Sequence, residues 1–593
     1  MWLNPEEKEV GKTNFASALG SKLLRRDFLK KQIKEDLASK KGLGAHYYGY
    51  GKVTEPLRVG VIGTGDEGSV LIGALNPDYM AVKSIADIRP YSVWRAFHGE
   101  HYTASAAKAR PGLMSIYKWT SEDAARKEVK VYGAYQELIE KAKDDGVEAV
   151  IIALPLHLHA PCAIAAMKAG LHVITEKLMG HSVHECKEMA RAAKAGDKPL
   201  YLAVGHQRHY NILYDNAVEL IRKGALGALH YIRAQWHRGN LPGNDSWRMA
   251  MPRKAKPHDD LAGKLEEDLA EWKAQLAKLQ KQMVDDKESK SKRDEYAKAV
   301  AELERKIPQL VAQISDEAVE AGKFDYEDKK VTDAAGKLLY DRPAIEELIR
   351  WRLWERTGGG LMAELGSHQL DAASIFVAAM HGGKKQQPLS VVASANRPLF
   401  PPDRDCEDHV FCIIEFPAPG YDAKDPQAAK KKIGVQYASI NGNGFGGYGE
   451  TVFGTEGTLV IETEKEAMLY RTHETMNKTK LERKKSKDKE EGVSLAAAEA
   501  GDPESAAIGL LGTLPAERGY AEEMEHFAWC VRNAAPENQP RCHAELAMGD
   551  AIIALTTNIA ARTGERIEFK PEWFKVESDE TPEGVKPDLG RYK

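Results

Sequence analysis

Glu364, Gly366, His368 and Asp371 crowd into TGGGLMAELGSHQLD, residues 357–371, behind three glycines. On a helix Glu364 and His368 stand four residues apart and share one face, so a carboxylate and an imidazole reach a common ligand atom. That pair can move a proton. The same residues also suit a buried helix start, where glycines admit close backbone approach and His368 and Asp371 satisfy main-chain groups.

A second group lies in ITEKLMGHS, residues 174–182, where Glu176 and Lys177 close an apolar strand. Ligands bind at the carboxyl edge of parallel strands, and a lysine there hydrogen-bonds a substrate hydroxyl and favours its alkoxide. The structural alternative is a lysine that caps a helix or pairs with Glu176.

A third group is GTGDEG, with Gly63, Gly65 and Gly68 in G-x-G-x-x-G spacing and Asp87 following 19 residues after Gly68 (87 − 68). The glycines follow a strand and open a helix, which lets the backbone and the helix N-terminus approach a pyrophosphate while Asp87 accepts from ribose hydroxyls. NAD is the expected cofactor, because a carboxylate repels the 2′-phosphate of NADP. Arg89, two residues on, offsets part of that repulsion and leaves NADP open. Pro155 and Glu176, at the ends of later strands, complete the expected cofactor set.

GHQRHYN (205–211) and QWHRGNLPGNDSWR (235–248) offer aromatic faces and forked donors of the kind sugar recognition uses. Gln207, Arg208, Trp236 and Arg238 are the expected substrate contacts. His157, His159, His172, His181 and His184 gather near the cofactor strands, but no carboxylate or cysteine stands beside them at ligand spacing, so no metal is expected. His159 reads as a helix-start residue.

These groups need elements to hold them. From Leu57, apolar β-branched runs (LRVGVI, MAVKSIADI, VEAVIIALP, GLHVITEK, PLYLAVGHQ) alternate with helical stretches, which predicts a doubly wound parallel sheet. Beyond about residue 225 strand-like segments follow one another with few helices, the pattern of a mostly antiparallel sheet. The expected fold class is α/β: a Rossmann domain over 57–210, then an α+β domain over 211–593 with a mostly antiparallel open-faced sheet, behind an N-terminal extension, 1–56. Apolar residues at spacings of three and four predict a helical-hairpin insertion at 255–330. Pro308 should kink or split its second helix, and packing and oligomer contact are its expected role. A charged stretch at 474–515 reads as a solvated loop.

The 593 residues exceed what one core supports, and a net charge of −4 gives no sign of a nucleic-acid or membrane surface. Six scattered cysteines without a CxxC pair read as reduced structural thiols. No stretch approaches the roughly 18 to 20 apolar residues that span a bilayer. LLRRDFLKK, with Arg25 and Arg26, looks like a twin-arginine export core, yet the segment after it is charged and broken by glycine, so a cytoplasmic location is expected.

The glycine fingerprint at 63–68, ALPLHLHA at 153–160, TEK at 175–177, GGGLMAELGSHQLD at 358–371 and GTEGTLVIE at 454–462 together resemble the Gfo/Idh/MocA oxidoreductases. The resemblance runs in order from about residue 57 to the C-terminus, apart from the insertion and the charged loop. It implies a nicotinamide-binding Rossmann domain joined to a sheet domain that supplies substrate contacts and often the subunit interface, and hence a homo-oligomer. It also implies redox chemistry at a sugar or cyclitol hydroxyl. Lys177 matches the family's lysine and His368 its histidine, while Glu364 stands where the family has aspartate and Leu178 where it has proline. By this reading the three glycines bring the chain close to the cofactor domain. His368 is then the acid/base, with an imidazole suited to neutral pH; Lys177 assists and Glu364 orients the hydroxyl. Two other readings stand beside the dehydrogenase: a glycosidase that retains NAD and works by transient oxidation and elimination, and a cofactor-binding scaffold or sensor without turnover.

Overall fold

The computed structural model describes residues 3–19, 48–196, 199–284, 289–471, 481–482, 496–497 and 518–592. The twin-arginine-like motif lies outside them, as does the charged stretch 474–515 apart from two two-residue strands.

Six parallel strands form the first sheet: β1 (Leu57–Ile62), β2 (Met80–Ala86), β3 (Lys130–Tyr132), β4 (Ala149–Ile152), β5 (His172–Glu176) and β6 (Leu202–Gly205), in the order β3-β2-β1-β4-β5-β6. Alternate side chains enter opposite cores: Val59, Val61, Ala149 and Ile151 pack into one layer, Ile62, Val150 and Ile152 into the other. That is why these strands read as continuous apolar runs. The strand order reverses between β1 and β4, which opens a crevice at their carboxyl ends.

The second sheet has eight strands. In spatial order they are Glu466–Arg471, Gly457–Glu462, Tyr448–Gly454, Leu229–His237, Lys432–Ile440, His409–Pro417, Ser390–Asn396 and Ile567–Glu568. Only the pairing of Leu229–His237 with Lys432–Ile440 is parallel. Along His409–Pro417, Val410, Cys412, Ile414 and Phe416 point into the core, whereas Phe411 and Ile413 stand exposed on the other face. The covered face receives the buried helix Ser367–Met380, locked where Phe376 stacks on Tyr214 at 5.8 Å. The fold is thus the α/β arrangement of a parallel and a mostly antiparallel sheet.

Residue 210 separates the sheets but not the packing. Helix Tyr520–Arg532 buries Met524, Phe527 and Ala528 in the first sheet's core. Helix Ala544–Thr563 gives Ala547, Met548 and Ile552 to one core and Ile553 and Ala560 to the other. A helix shared in this way ties the two sheets together. At the far edge, helix Pro5–Leu19 covers strand Glu466–Arg471, with Asn14 donating to the Leu469 carbonyl at 3.1 Å and Tyr470 donating to that of Glu7 at 3.0 Å. Covering an edge strand blocks its pairing with other chains.

Two helices, Lys264–Met283 and Lys290–Ser315, form a hairpin. The second runs unbroken through Pro308, so the split expected from the sequence does not occur. Its apolar seam is not spent on the first helix alone, because the helix also docks on Pro90–His98 of the parallel-sheet domain. There Gln309 accepts from the His101 amide at 2.7 Å and Gln313 from the Tyr102 hydroxyl at 2.7 Å. All six cysteines are buried and free, and no helix among the described residues is long and apolar enough to cross a membrane.

Candidate active site

A cleft of about 600 Å³ lies above the carboxyl ends of β1 and β4, with walls from both sheets. Its floor begins at the glycine turn. Gly63 has φ +82°, and a Cβ there would stand 2.4 Å from the Ala153 carbonyl; one on Gly68 would stand 2.0 Å from the Gly63 carbonyl. At Gly65 a Cβ meets nothing within 4 Å, so the backbone there is open to an approaching group. Helix Asp66–Ala74 starts at this point, with Arg110 at 2.8 Å offsetting the charge of Asp66. The Asp87 carboxylate lines the cleft and accepts from the amides of Thr64 (2.8 Å) and Arg89 (2.9 Å). Burial pushes this carboxyl up, and the two amides and Arg89 offset part of the rise. Pro155 and Glu176 also line the cleft. A glycine cradle ending in a carboxylate fits a dinucleotide.

The end beside Asp87 is roofed by the insertion. Asp316, fully buried, pairs with Arg89 at 2.7 Å and accepts from the Tyr91 amide at 3.0 Å. Phe324 and Tyr326 follow it along the wall, and Ile88 packs against the same small cluster.

At the opposite end the two sheets converge. Lys177 donates to the Glu364 carbonyl at 2.8 Å and stands 3.8 Å from its carboxylate, which Arg352 holds at 2.7 Å. The turn that aims Lys177 is tied down by His159, the first residue of its helix, whose ring nitrogens meet the carbonyls of Leu178 (2.7 Å) and Leu154 (2.8 Å). Glu364 occupies a π-helical turn, Met362–Gly366, and His368 lies in the first turn of the α-helix that follows. The wide turn alters the helical register between the two residues, yet both still reach the cleft. Gly359 explains the close approach of the chain: its φ is +73°, and a Cβ would stand 2.8 Å from Leu156 of the parallel-sheet domain and 2.9 Å from Ala363. Trp236 stacks on Tyr448 at 4.4 Å and lies 5.6 Å from the His368 ring, and the Arg238 guanidinium lies over both Trp236 and Trp247.

Electrostatics divide the work among these groups. Burial favours a neutral Glu364, but Lys177, Arg352 and Arg238 outweigh it and hold the carboxyl at about 2. Burial, reinforced by the charges of Lys177 and Arg208, pushes the His368 imidazole well below 6.5. The neutral-pH titration expected for His368 is therefore replaced by an imidazole that is already neutral at pH 7. Burial and neighbouring Glu67 raise the Glu176 carboxyl to about 8, so it carries a proton at pH 7.

Residues 57–206 match the oxidoreductase family described by its NAD-binding Rossmann fold. That region is similar to the Gfo/Idh/MocA oxidoreductases. The match includes the glycine turn, Asp87 and Lys177, and ends at His206. Among curated relatives of the Gfo/Idh/MocA-type region, inositol 2-dehydrogenase of Corynebacterium glutamicum is 28% identical over 30% of this chain and 45% of its own length. A glycosyl hydrolase family 109 protein of Stenotrophomonas maltophilia is 29% identical over 30% of this chain and 35% of its own. The chain thus spans less than half the length of these relatives. Aldose-aldose oxidoreductase from Caulobacter crescentus superposes with a TM-score of 0.46 at 14% identity, over 87% of this chain and all of that one.

Beside the Gfo/Idh/MocA-type domain, Trp236 and Arg238 line the cleft, whereas Gln207 and Arg208 do not. Arg208 is fully buried in an ion cluster, 2.8 Å from Glu464 and 3.6 Å from Glu450, and Gln207 begins a buried 3₁₀ turn. Neither of these two expected substrate contacts reaches the cleft wall, because both are buried beneath it. Sequence reading missed Arg352, Asp316 and Tyr326. Arg352 had one available signal, an arginine in the aromatic run WRLW just before the glycines; the others sit outside any motif. One buried cluster, His206, Asp371 and Asp550, brings metal-ligating atoms within 4.8 Å of one another. His209 already donates to Asp371 at 2.8 Å and Lys385 pairs with Asp550, so both carboxylates have partners within the protein.

Proposed function

We propose that this chain oxidises or reduces a hydroxyl-bearing carbon of a sugar, sugar derivative or cyclitol, with NAD as the redox partner. The observation that carries the reading is the convergence of Lys177 from the parallel sheet with Glu364 and His368 from the second sheet's helix in one cleft floored by the glycine turn. Gly63, Gly65 and Gly68 admit the pyrophosphate, and Asp87 takes the adenosine ribose. Asp316 neutralises Arg89, the cation that would otherwise welcome a 2′-phosphate, which supports NAD over NADP. Bound nicotinamide supplies the hydride acceptor.

In the oxidative direction the neutral His368 imidazole takes the hydroxyl proton. The Lys177 ammonium donates to the same oxygen and stabilises the charge that develops there. Glu364, fixed by Arg352, accepts from a neighbouring hydroxyl and sets the ring's orientation. Trp236 offers a face to the C–H side of the ring. Protonated Glu176 leaves Lys177 without a competing charge on that side. In the reductive direction the same proton returns from His368.

A second reading, a glycosidase that uses NAD catalytically, is favoured by the relative named as a family 109 glycosyl hydrolase. Mass spectrometry of the protein as purified identifies any retained cofactor, and a panel of sugars, cyclitols and glycosides read for both NADH and released aglycone separates the readings. NADH accumulation supports the dehydrogenase; aglycone release without NADH supports the glycosidase. NAD binding with no reaction across the panel would remove both and leave a sensor.

The exposed Val392, Phe411 and Ile413 on the outer face of the second sheet suit contact with a second copy of this chain. Light scattering that gives a monomer at micromolar concentration would count against that part.

A further inference from the structure

The arginines around the cleft are not alike. Arg89 pairs with Asp316, Arg350 with Asp259, Arg352 with Glu364, Arg95 with Glu100 and Arg518 with Glu464. Arg238 has neither an ion pair nor a side-chain hydrogen bond among the described residues, and its Nε is buried without a partner. Its guanidinium is held in place by rings, 5.2 Å from the centre of Trp247 and 5.8 Å from that of Trp236. Cation–π contact orients a guanidinium but does not neutralise it. A mostly buried, unpaired cation is costly, and the usual relief is an anion.

The surrounding charges leave the same vacancy. Lys177, Arg238 and Arg352 all act on one ionised carboxylate, Glu364. Asp66 is engaged by Arg110 and Arg95, and Asp245, the other acid near Arg238, is taken by Arg404 at 2.7 Å. Glu176, raised to about 8, carries a proton at pH 7. Lys177, Arg238 and Arg352 therefore converge on the Glu364 carboxylate, with Glu67 acting on Lys177 and Arg352, beside the aromatic wall where a sugar ring would lie.

We propose that Arg238 recognises an anionic group on the substrate, so that the preferred ligand is a sugar or cyclitol bearing a carboxylate or phosphate ester rather than a neutral one. The proposal rests on the redox reading of the same cleft and narrows its substrate class. The planar fork suits bidentate contact with either group. The indoles of Trp236 and Trp247, both within 6 Å of the guanidinium, hold it at the cleft wall.

The test compares matched sets with NAD saturating: a neutral pyranose or cyclitol, its carboxylate analogue and its phosphate monoester, each read by calorimetry and by kcat/KM. One anionic member should bind roughly ten- to hundredfold more tightly than its neutral parent, the scale of a charge-assisted pair; which member does so identifies the group. Arg238→Gln should erase that advantage mainly through KM, Arg238→Lys should keep part of it, and both variants should bind NAD as the wild type does. Equal affinity for neutral and charged members would overturn the proposal, as would an Arg238→Gln variant that retains the preference. Loss of NAD affinity in that variant would also overturn it, by assigning the guanidinium to the cofactor's phosphates. Vigorous turnover of neutral members alone would overturn the anionic class and leave the redox reading intact, whereas NAD binding without turnover of any member would overturn both.

Discussion

Asp316 holds the guanidinium of Arg89 at 2.7 Å across 227 residues of sequence, so an inserted hairpin reaches back to the ribose end of the cofactor cleft. By the proposed reading, the contact makes the insertion part of cofactor selection. Asp316→Asn keeps an acceptor for the Tyr91 amide but frees Arg89. The ratio of NADP to NAD dissociation constants should then fall about tenfold, or about 1.4 kcal/mol. Calorimetry with both cofactors checks this, and an unchanged ratio would mean that Asp87 alone sets the preference.

His368 differs from a free imidazole because burial and nearby cations push it well below 6.5. As the proton acceptor it works in its neutral form, so activity is lost only when pH falls through that lowered value. The acid limb of kcat/KM for oxidation should therefore lie below pH 6.5. His368→Ala should lower kcat by about 10²- to 10⁴-fold, the usual worth of a general base, with NAD affinity unchanged. An acid limb at 6.5 or above that vanishes in the variant would contradict the burial argument.

Lys177 and Glu364 form a second testable pair, joined through the lysine's hydrogen bond to the Glu364 carbonyl. Lys177→Met removes the cation proposed to stabilise the developing oxyanion and should lower kcat by about 10²-fold or more. Glu364→Gln leaves an acceptor but loses its charge-assisted contact with Arg352, and should act more on KM than on kcat. Steady-state kinetics of both variants decide it. Equal losses in kcat would show that Glu364 takes part in proton movement.

Much of this site was legible in the sequence because its signals are local. The GTGDEG turn needs glycine at 63 and 68, where a Cβ would strike the Ala153 and Gly63 carbonyls, and β1 and β4 announce themselves as buried on both faces. Lys177 ends a strand, and strand ends in such sheets line crevices. Arg208 misled because a polar residue after β6 reads the same whether the chain turns into the cleft or beneath another sheet. Glu450 and Glu464, more than 200 residues away, decide the matter, and nothing in GHQRHYN foretells them. Asp316 was unreadable for a related reason, since its partner is set by how the hairpin docks rather than by its own spacing.

Gly359 should resist substitution for two separable reasons. Its φ of +73° strains any side chain, and a Cβ would press on Leu156 at 2.8 Å and Ala363 at 2.9 Å. Gly564, with φ +69° and nothing within 4 Å, carries only the first burden. Gly564→Ala should cost about 1 kcal/mol and Gly359→Ala about 2 to 3 kcal/mol, with activity falling only in the latter because the turn joins the two walls of the cleft. Denaturant melts alongside kcat/KM test the contrast, and equal costs would show that the neighbours yield freely.

Glu176 gives the cleft a signature in stability as well as in rate. Burial and Glu67 raise its carboxyl from 4.5 to about 8, so the folded protein prefers the protonated form. The stability this contributes is complete below pH 4.5, where folded and unfolded chains are both protonated. It declines from there as the unfolded chain ionises, and is exhausted once pH passes through about 8 and the folded carboxyl ionises too. Glu176→Gln fixes the neutral state. Other buried acids, among them Glu450 at about 7, contribute falls of their own, so the informative quantity is the difference between wild type and variant. Melting temperatures measured from pH 5 to pH 9 should show the variant gaining on the wild type as pH rises, with the gain levelling off above about pH 8. A constant offset across that range would mean that Glu176 ionises normally and that its charge, rather than its proton, faces Lys177.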